Sequence, residues 1–183
     1  DPLRGALTKY ASQLSTKITA LGRTFRPLYE VIDERSIVNS IVGLLATGGS
    51  TNHTMHIVAY ARAAGIVVTW DDFSALSKVV PLMTRIYPNG HADINHFHAA
   101  GGMAFLVKQL LKGGLLHEDV NTIVGKGLSH YTKEPFFDGD ELVWRDGPSK
   151  SLDEDVIRPM ENPFSKEGGL SLLKGNLGRA VIK

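Results

Sequence analysis

A short stretch in the first third of the chain combines backbone and side-chain groups that could bind an anion. Its members are Gly48, Gly49, Ser50, Thr51 and Asn52. Glycine supplies the left-handed backbone that ends a helix, and Ser50 or Thr51 can cap the helix that follows. The N-terminus of a helix presents free N–H groups and the positive end of its dipole, which phosphates and carboxylates bind. The sequence fits either a tight helix–helix turn or an anion-binding turn in which Asn52 and His53 contact the ligand.

A second polar cluster, rich in histidine, lies further along the chain. Its members are His91, Asp93, Asn95, His96 and His98. Histidine and aspartate side chains can bind a divalent metal, transfer protons or bind a phosphate. The spacing fits no zinc motif with its ligands on one helical face, and His96 and His98 would point apart on a helix. Three interpretations stay open: a metal site, a polar structural loop and a set of substrate contacts.

Several common catalytic motifs are absent from the sequence. His53 and His56 enclose Thr-Met and not the Glu-x-x spacer of a zinc protease, which excludes that mechanism. The 48–52 turn is not followed by the Gly-Lys-Ser/Thr of a nucleotide-binding loop. Neither a Gly-x-Ser-x-Gly nucleophile elbow nor a dinucleotide fingerprint after a strand is present. The chain has no cysteine, which excludes disulfides, thiol catalysis and cysteine-ligated metals within it.

The composition is that of an ordinary globular protein. The 183 residues are 43% hydrophobic and 21% charged, with a formal net charge of +1. This balance argues against a surface that binds nucleic acid or an anionic membrane, and no apolar run is long enough to span a bilayer. The sequence begins without Met in a helix-like pattern and stops within a strand-like run. We therefore expect an internal fragment of a longer polypeptide.

A mostly helical arrangement must position the two polar clusters. Apolar residues that recur every three to four positions, with glycine or capping residues at the ends, predict helices over 3–21, 33–45, 50–64, 73–79 and 103–111. Short apolar runs beside turn signals predict strands over 120–124, 141–145, 170–173 and 178–182. The polar, proline-bearing stretch 151–164 is interpreted as an extended linker. We predict an α/β fold that is predominantly helical, with a domain boundary near residue 165.

Several motifs resemble the dihydroxyacid dehydratase / phosphogluconate dehydratase family. The residues at 48–52 look like the Gly-Ser-Thr-Asn signature of that family. Similarity to its phosphogluconate branch extends over 53–56, 70–73, 87–90, 92–103, 115–122, 152–156 and 175–183. The dihydroxyacid branch usually has a loop without histidine where His96 and His98 stand. The resemblance covers essentially the whole chain.

The resemblance implies a hydro-lyase that removes water from 6-phospho-D-gluconate to give 2-dehydro-3-deoxy-6-phospho-D-gluconate in the Entner–Doudoroff pathway. It implies an α/β domain that holds an iron–sulfur cluster (4Fe-4S) and a C-terminal β-barrel domain. Residues 1–165 would be the C-terminal part of the α/β domain with its linker, and 166–183 the first barrel strands. A cytoplasmic homodimer is implied too, with a divalent cation in related dehydratases. Because the cluster ligands and the catalytic base belong to parts outside this sequence, we expect the chain alone to be inactive.

The expected contribution of this chain is substrate contact, with no catalytic residue and no metal ligand. The expected substrate-binding residues are Ser50, Thr51, Asn52, His53, Asn95, His96 and His98. We expect the two clusters to meet at one cleft, where His96 and His98 help to select a phosphorylated sugar acid. Two alternatives stay open: a dehydratase of an unphosphorylated sugar acid or dihydroxy acid, and a non-catalytic anion-binding module.

Overall fold

The structure, a computed structural model, describes residues 2–183. In this range the helices are α1 (Pro2–Lys17), α2 (Leu28–Val31), α3 (Glu34–Thr47), α4 (Thr51–Ala63), α5 (Trp70–Ser77), α6 (Ile94–Ala99) and α7 (Gly102–Lys112). The strands are β1 (Asn121–Thr122), β2 (Gly125–Lys126), β3 (Lys133–Asp138), β4 (Glu141–Asp146), β5 (Ser171–Gly175) and β6 (Gly178–Ile182), and a 3₁₀ helix spans Leu128–Thr132. Consecutive strands pair as separate antiparallel hairpins. The predicted α/β fold with a predominance of helix is confirmed.

Helix α3 forms the centre of the core. Asp33 caps its N-terminus by accepting a hydrogen bond from the backbone N–H of Ser36 at 2.7 Å. Gly48 ends the helix in left-handed backbone, with φ 58° and ψ 36°. Side chains such as Ile41 and Leu45 are at most 1% exposed. The ends of α3 are therefore fixed by local sequence, and its body by burial.

Helix α7 supplies the largest of the fully buried side chains, that of Phe105. Leu106 and Leu110 from the same helix join the same core cluster as α3. The N-cap residue of α7, Gly101, makes no side-chain cap. Since burying one large apolar side chain contributes about 1.5–3 kcal/mol, packing stabilises α7 far more than its termini do.

The stretch 151–164, predicted to be an extended linker, contains turns and contributes two residues, Val156 and Ile157, to the core. Ile157 is fully buried within it. The backbone N–H of Arg158 donates to the carbonyl of Met83 at 2.8 Å, and the N–H of Met83 donates to Ala46 at 2.8 Å. These hydrogen bonds tie the stretch to the C-terminal end of α3.

Helix α1 lies at the periphery of the molecule. None of its side chains is buried, and Tyr10 meets Trp144 on β4 with ring centroids 6.0 Å apart. The helix ends at Lys17 and not at residue 21, because a turn closed by the N–H of Gly22 follows. Neither α1 nor any other helix in the described range has both the length and the apolarity needed to cross a membrane.

One strand prediction was wrong in extent, and one strand was not predicted. In place of one strand over 120–124, the chain forms the tight β1–β2 hairpin. The Thr122 hydroxyl stabilises its turn, because it accepts a hydrogen bond from the Val124 N–H at 3.3 Å and donates one to the Gly125 carbonyl at 2.6 Å. The predicted strand at 141–145 is present as β4, but its partner β3 was not predicted. Strand β3 contains Pro135, which lowers the strand signal of its sequence.

The C-terminal hairpin β5–β6 packs on α5 and on the end of α3. The Asp71 carboxylate on α5 accepts hydrogen bonds from Lys174 and from Arg179, the latter at 3.1 Å. A Cβ on Gly169 would lie 2.4 Å from the Cα of Gly48, so these two backbones are in direct contact. The hairpin is thereby held beside the N-terminus of α4.

Candidate functional site

The N-terminus of α4 offers free backbone donors. Ser50 is the N-cap: its hydroxyl accepts from the backbone N–H of Asn52 at 3.2 Å, and its carbonyl accepts from the N–H of His53 at 2.9 Å. The N–H groups of Ser50 and Thr51 donate to no acceptor within residues 2–183. Together with the positive end of the α4 dipole, these donors can stabilise an anionic oxygen.

The side chains around this N-terminus face solvent. Thr51, Asn52 and His53 are exposed, whereas Ser50 is half-buried by its capping role. In the part of the chain that the structure describes, the side chains of Thr51, Asn52 and His53 form no hydrogen bond. They are free to contact a ligand.

A cation that the sequence analysis did not single out, Lys183, lies at the same corner. Its ammonium donates a hydrogen bond to the carbonyl of Gly48 at 3.1 Å, and burial lowers the pKa of this lysine. No carboxylate side chain in residues 2–183 pairs with it. Its positive charge therefore adds to the field of the α4 N-terminus. No local pattern could have revealed Lys183, because only the packing of β5–β6 brings it to Gly48.

His53 and His56 are neighbours on α4, one helical turn apart. Partial burial of the His53 ring and the nearby charge of His56 lower the pKa of His53 below its ordinary value of 6.5. At neutral pH the His53 ring is therefore uncharged and carries one N–H donor and one acceptor nitrogen.

The lowered pKa of His53 predicts that the protein loses stability in mild acid. Because the unfolded chain binds the proton more readily, this stability is complete above pH 6.5 and declines as the pH falls through the pKa of the folded His53. We expect the melting temperature of the wild type to drop more between about pH 7.5 and about pH 5.5 than that of His53→Gln. His56→Gln removes only the effect of the nearby His56 charge. Its drop in melting temperature should lie between those of the wild type and His53→Gln. Equal pH dependence in wild type and His53→Gln would contradict the assignment.

The histidine-rich segment contains a helix, α6, where a loop was one of the interpretations. Asp93 caps this helix and accepts hydrogen bonds from the backbone N–H groups of Asn95 at 2.8 Å and His96 at 3.0 Å. The Nδ1 atom of His96 lies 2.9 Å from the same carboxylate oxygen. The backbone N–H of His96, then that of Asn95 and the His96 ring, lower the pKa of Asp93. An ionised Asp93 thus orients the His96 ring.

Phe97 anchors α6 in the core, whereas the other candidate side chains of this helix, those of Asn95 and His98, are exposed. His98 lies away from Asp93, near Gly102, as expected for two histidines separated by one residue on a helix. The side chains of Asn95 and His98 form no hydrogen bond in the described range. The structure therefore brings together only Asp93 and His96 of this cluster.

The turn 86–92 connects the two clusters. The N–H of Tyr87 donates to the carbonyl of Ala92 at 2.8 Å, so the turn closes just before α6 begins. A Cβ on Gly48 would lie 2.6 Å from the side-chain amide nitrogen of Asn89, so this turn touches the end of α3.

Within residues 2–183, no hydrogen bond joins the side chains of 50–53 to those of 95–98. Five surface grooves of 220 to 370 Å³ in this range have other linings. That the clusters meet at one cleft stays a prediction.

Comparison with known proteins identifies the family of this chain. The profile described as dihydroxy-acid/6-phosphogluconate dehydratase N-terminal matches residues 2–131. The chain belongs to this dehydratase family. Phosphogluconate dehydratases of Escherichia coli K12 and Pseudomonas aeruginosa are 63% and 60% identical to it over 183 and 182 residues. A dihydroxy-acid dehydratase of Acaryochloris marina is 39% identical over 149 residues, which are 81% of this chain and 24% of that protein. The two phosphogluconate dehydratases match all of this chain, which spans 30% of their length.

Dehydratases of this family generally depend on an iron–sulfur cluster. The residues of this chain do not fit such a cluster. The sequence has no cysteine, and within residues 2–183 no group of three or more His, Asp or Glu side chains is placed to hold a metal ion. The donors at the N-terminus of α4 are instead of the kind that binds an anionic group.

Proposed function

We propose that the full-length protein is a phosphogluconate dehydratase, which removes water from 6-phospho-D-gluconate to form 2-dehydro-3-deoxy-6-phospho-D-gluconate. One observation carries this proposal: identity to phosphogluconate dehydratases is 50–63% over the whole chain, against 39% over 149 residues for a dihydroxy-acid dehydratase. The matches cover the whole chain and therefore include the segment with His96 and His98.

The proposed role of this chain is to hold an anionic group of the substrate at the α4 N-terminus. The free N–H groups of Ser50 and Thr51, the exposed amide of Asn52 and the Lys183 ammonium all favour a carboxylate or phosphate there. His53 adds a neutral ring at the same turn. These groups bind and orient the substrate, and they leave proton abstraction to residues elsewhere in the polypeptide.

We propose that α6 contributes to the choice between phosphorylated and unphosphorylated acids. Asp93 fixes one side of the His96 ring, which leaves the other ring nitrogen available to a phosphate oxygen. Asn95 and His98 are exposed on the same short helix and can extend this contact.

Other properties of the full-length protein stay predictions. They are the cluster ligated outside this chain, a divalent cation, a homodimeric state, a cytoplasmic location and the domain boundary at residue 165. The expected inactivity of the isolated chain follows from the first of these, because its residues cannot hold the cluster.

The test is a substrate comparison with the full-length enzyme. We expect kcat/KM for 6-phosphogluconate to exceed that for gluconate and for a dihydroxy acid by about two orders of magnitude or more, since each hydrogen bond to a charged group contributes about 1.5–3 kcal/mol. An equal or higher kcat/KM for an unphosphorylated acid would contradict this proposal and indicate a dehydratase of an unphosphorylated sugar acid or dihydroxy acid. Binding of any sugar phosphate without turnover would indicate a non-catalytic module.

A further inference from the structure

An apolar groove runs between α3 and α7. It has a volume of about 370 Å³, and its walls include Ser40 and Gly43 of α3 with Met103, Leu106 and Val107 of α7. None of the described residues that line it is charged. We call it the α3–α7 groove. A groove without charges gives no stabilisation to an anionic substrate, and it fits apolar side chains.

The apolar surface continues beyond the α3–α7 groove. Met103 at its edge is 54% exposed, and Ile123 in the β1–β2 turn is 48% exposed. Tyr131 lines both this groove and a second one formed with Tyr10 and Trp144. Exposed apolar surface around a groove is typical of a site that binds another polypeptide, a ligand or a membrane.

The chain also exposes more surface than its size requires. Its accessible surface is 11232 Å², whereas a compact monomer of 19.9 kDa exposes about 8,700 Å². The excess of about 2,500 Å² equals a large interface between proteins. Since the chain spans 30% of the relatives that match it along its whole length, further polypeptide of the same protein is available to cover this surface.

We propose that in the full-length protein an apolar helix from outside residues 1–183 occupies the α3–α7 groove. Ser36, Ser40 and Gly43 form a row of small residues spaced four and then three apart on α3, along which a helix can approach closely. A Cβ on Gly43 would meet nothing within 4 Å, so there is room for such a neighbour. A helix satisfies its own backbone hydrogen bonds, whereas a strand in an apolar groove would leave its N–H and C=O groups unpaired.

A matched pair of glycine substitutions in the full-length protein tests this proposal. Gly43 and Gly5 both lie within helices, and an added Cβ meets nothing within 4 Å at either position. Leucine is a better helix former than glycine, so an uncovered site should gain stability. We expect Gly43→Leu to lower the melting temperature and Gly5→Leu to leave it unchanged or raise it. A rise for Gly43→Leu equal to that for Gly5→Leu would overturn the proposal.

Methionine oxidation in the wild-type full-length protein gives a second measurement that does not depend on a variant folding. We expect hydrogen peroxide to oxidise Met103 several-fold more slowly in the native protein than in the unfolded one, as followed by mass spectrometry of its peptide. Met83, which is fully buried, provides the protected standard. Equal rates in native and unfolded protein would overturn the proposal. Protection that disappears on dilution to monomers would also overturn it, because a second copy would then be the occupant.

Discussion

Replacing Asn52 by alanine in the full-length enzyme is expected to lower kcat/KM for 6-phosphogluconate by about ten- to a hundredfold. The Asn52 side chain is exposed and forms no hydrogen bond within residues 2–183, so its removal disturbs no packing. A hydrogen bond to a charged ligand contributes about 1.5–3 kcal/mol, which corresponds to this range of rates. Because the contact would hold the substrate in both ground and transition states, the loss should appear mainly in KM. Steady-state kinetics measure it.

His96→Ala extends this test to the second cluster. We expect a weaker preference for phosphorylated over unphosphorylated acids, because the ring oriented by Asp93 is the proposed phosphate contact. Asn162→Ala is a suitable control, since Asn162 is an exposed amide outside both clusters. Unchanged kinetics for both Asn52→Ala and His96→Ala would refute the proposed substrate contacts.

Phe105→Ala is expected to cost about 3–5 kcal/mol of unfolding free energy. Phe105 is the largest fully buried side chain in the described range, and it packs between α7 and the core centred on α3. Alanine removes its burial and leaves a cavity that the surrounding helices fill only partly. Urea unfolding of wild type and variant measures the difference as a shift of the midpoint.

Phe25→Ala provides the matched control for this substitution. Phe25 is 48% exposed and lies outside the core cluster, so its loss should cost well under half as much. If Phe105→Ala leaves too little folded protein to measure, Phe105→Leu should still unfold at lower urea than wild type, by a smaller amount. Equal midpoints for Phe105→Leu and wild type would contradict the assigned packing.

Local signals in the sequence were sufficient to predict the presence of the longer helices, although α1 ends four residues before the predicted end. The apolar period of α3 and its caps at Asp33 and Gly48 are present in the chain itself, and the structure uses them as predicted. Helix α6 was not predicted because six residues give no measurable apolar period. The interpretation of 151–164 as a linker relied on its polar composition, which hides a single buried pair, Val156 and Ile157.

The candidate site shows the same division between local and long-range information. The helix N-terminus at Ser50 could be predicted, because capping is a matter of adjacent residues. Lys183 could not be predicted, since 135 positions separate it from Gly48 and only tertiary packing joins them. The seven substrate-binding residues stay a prediction that kinetics must decide.

The contact between Gly48 and Gly169 places the proposed anion site directly against the segment that leads into the C-terminal hairpin. Because no side chain separates the two backbones, a side chain at position 169 would force Gly48 and this segment apart. A change in the orientation of the hairpin would break the hydrogen bond from the Lys183 ammonium to the Gly48 carbonyl. The affinity of the proposed site for an anion would then fall. By thermodynamic reciprocity, a bound anion would stabilise the contact between Gly48 and Gly169 and restrict movement of the hairpin.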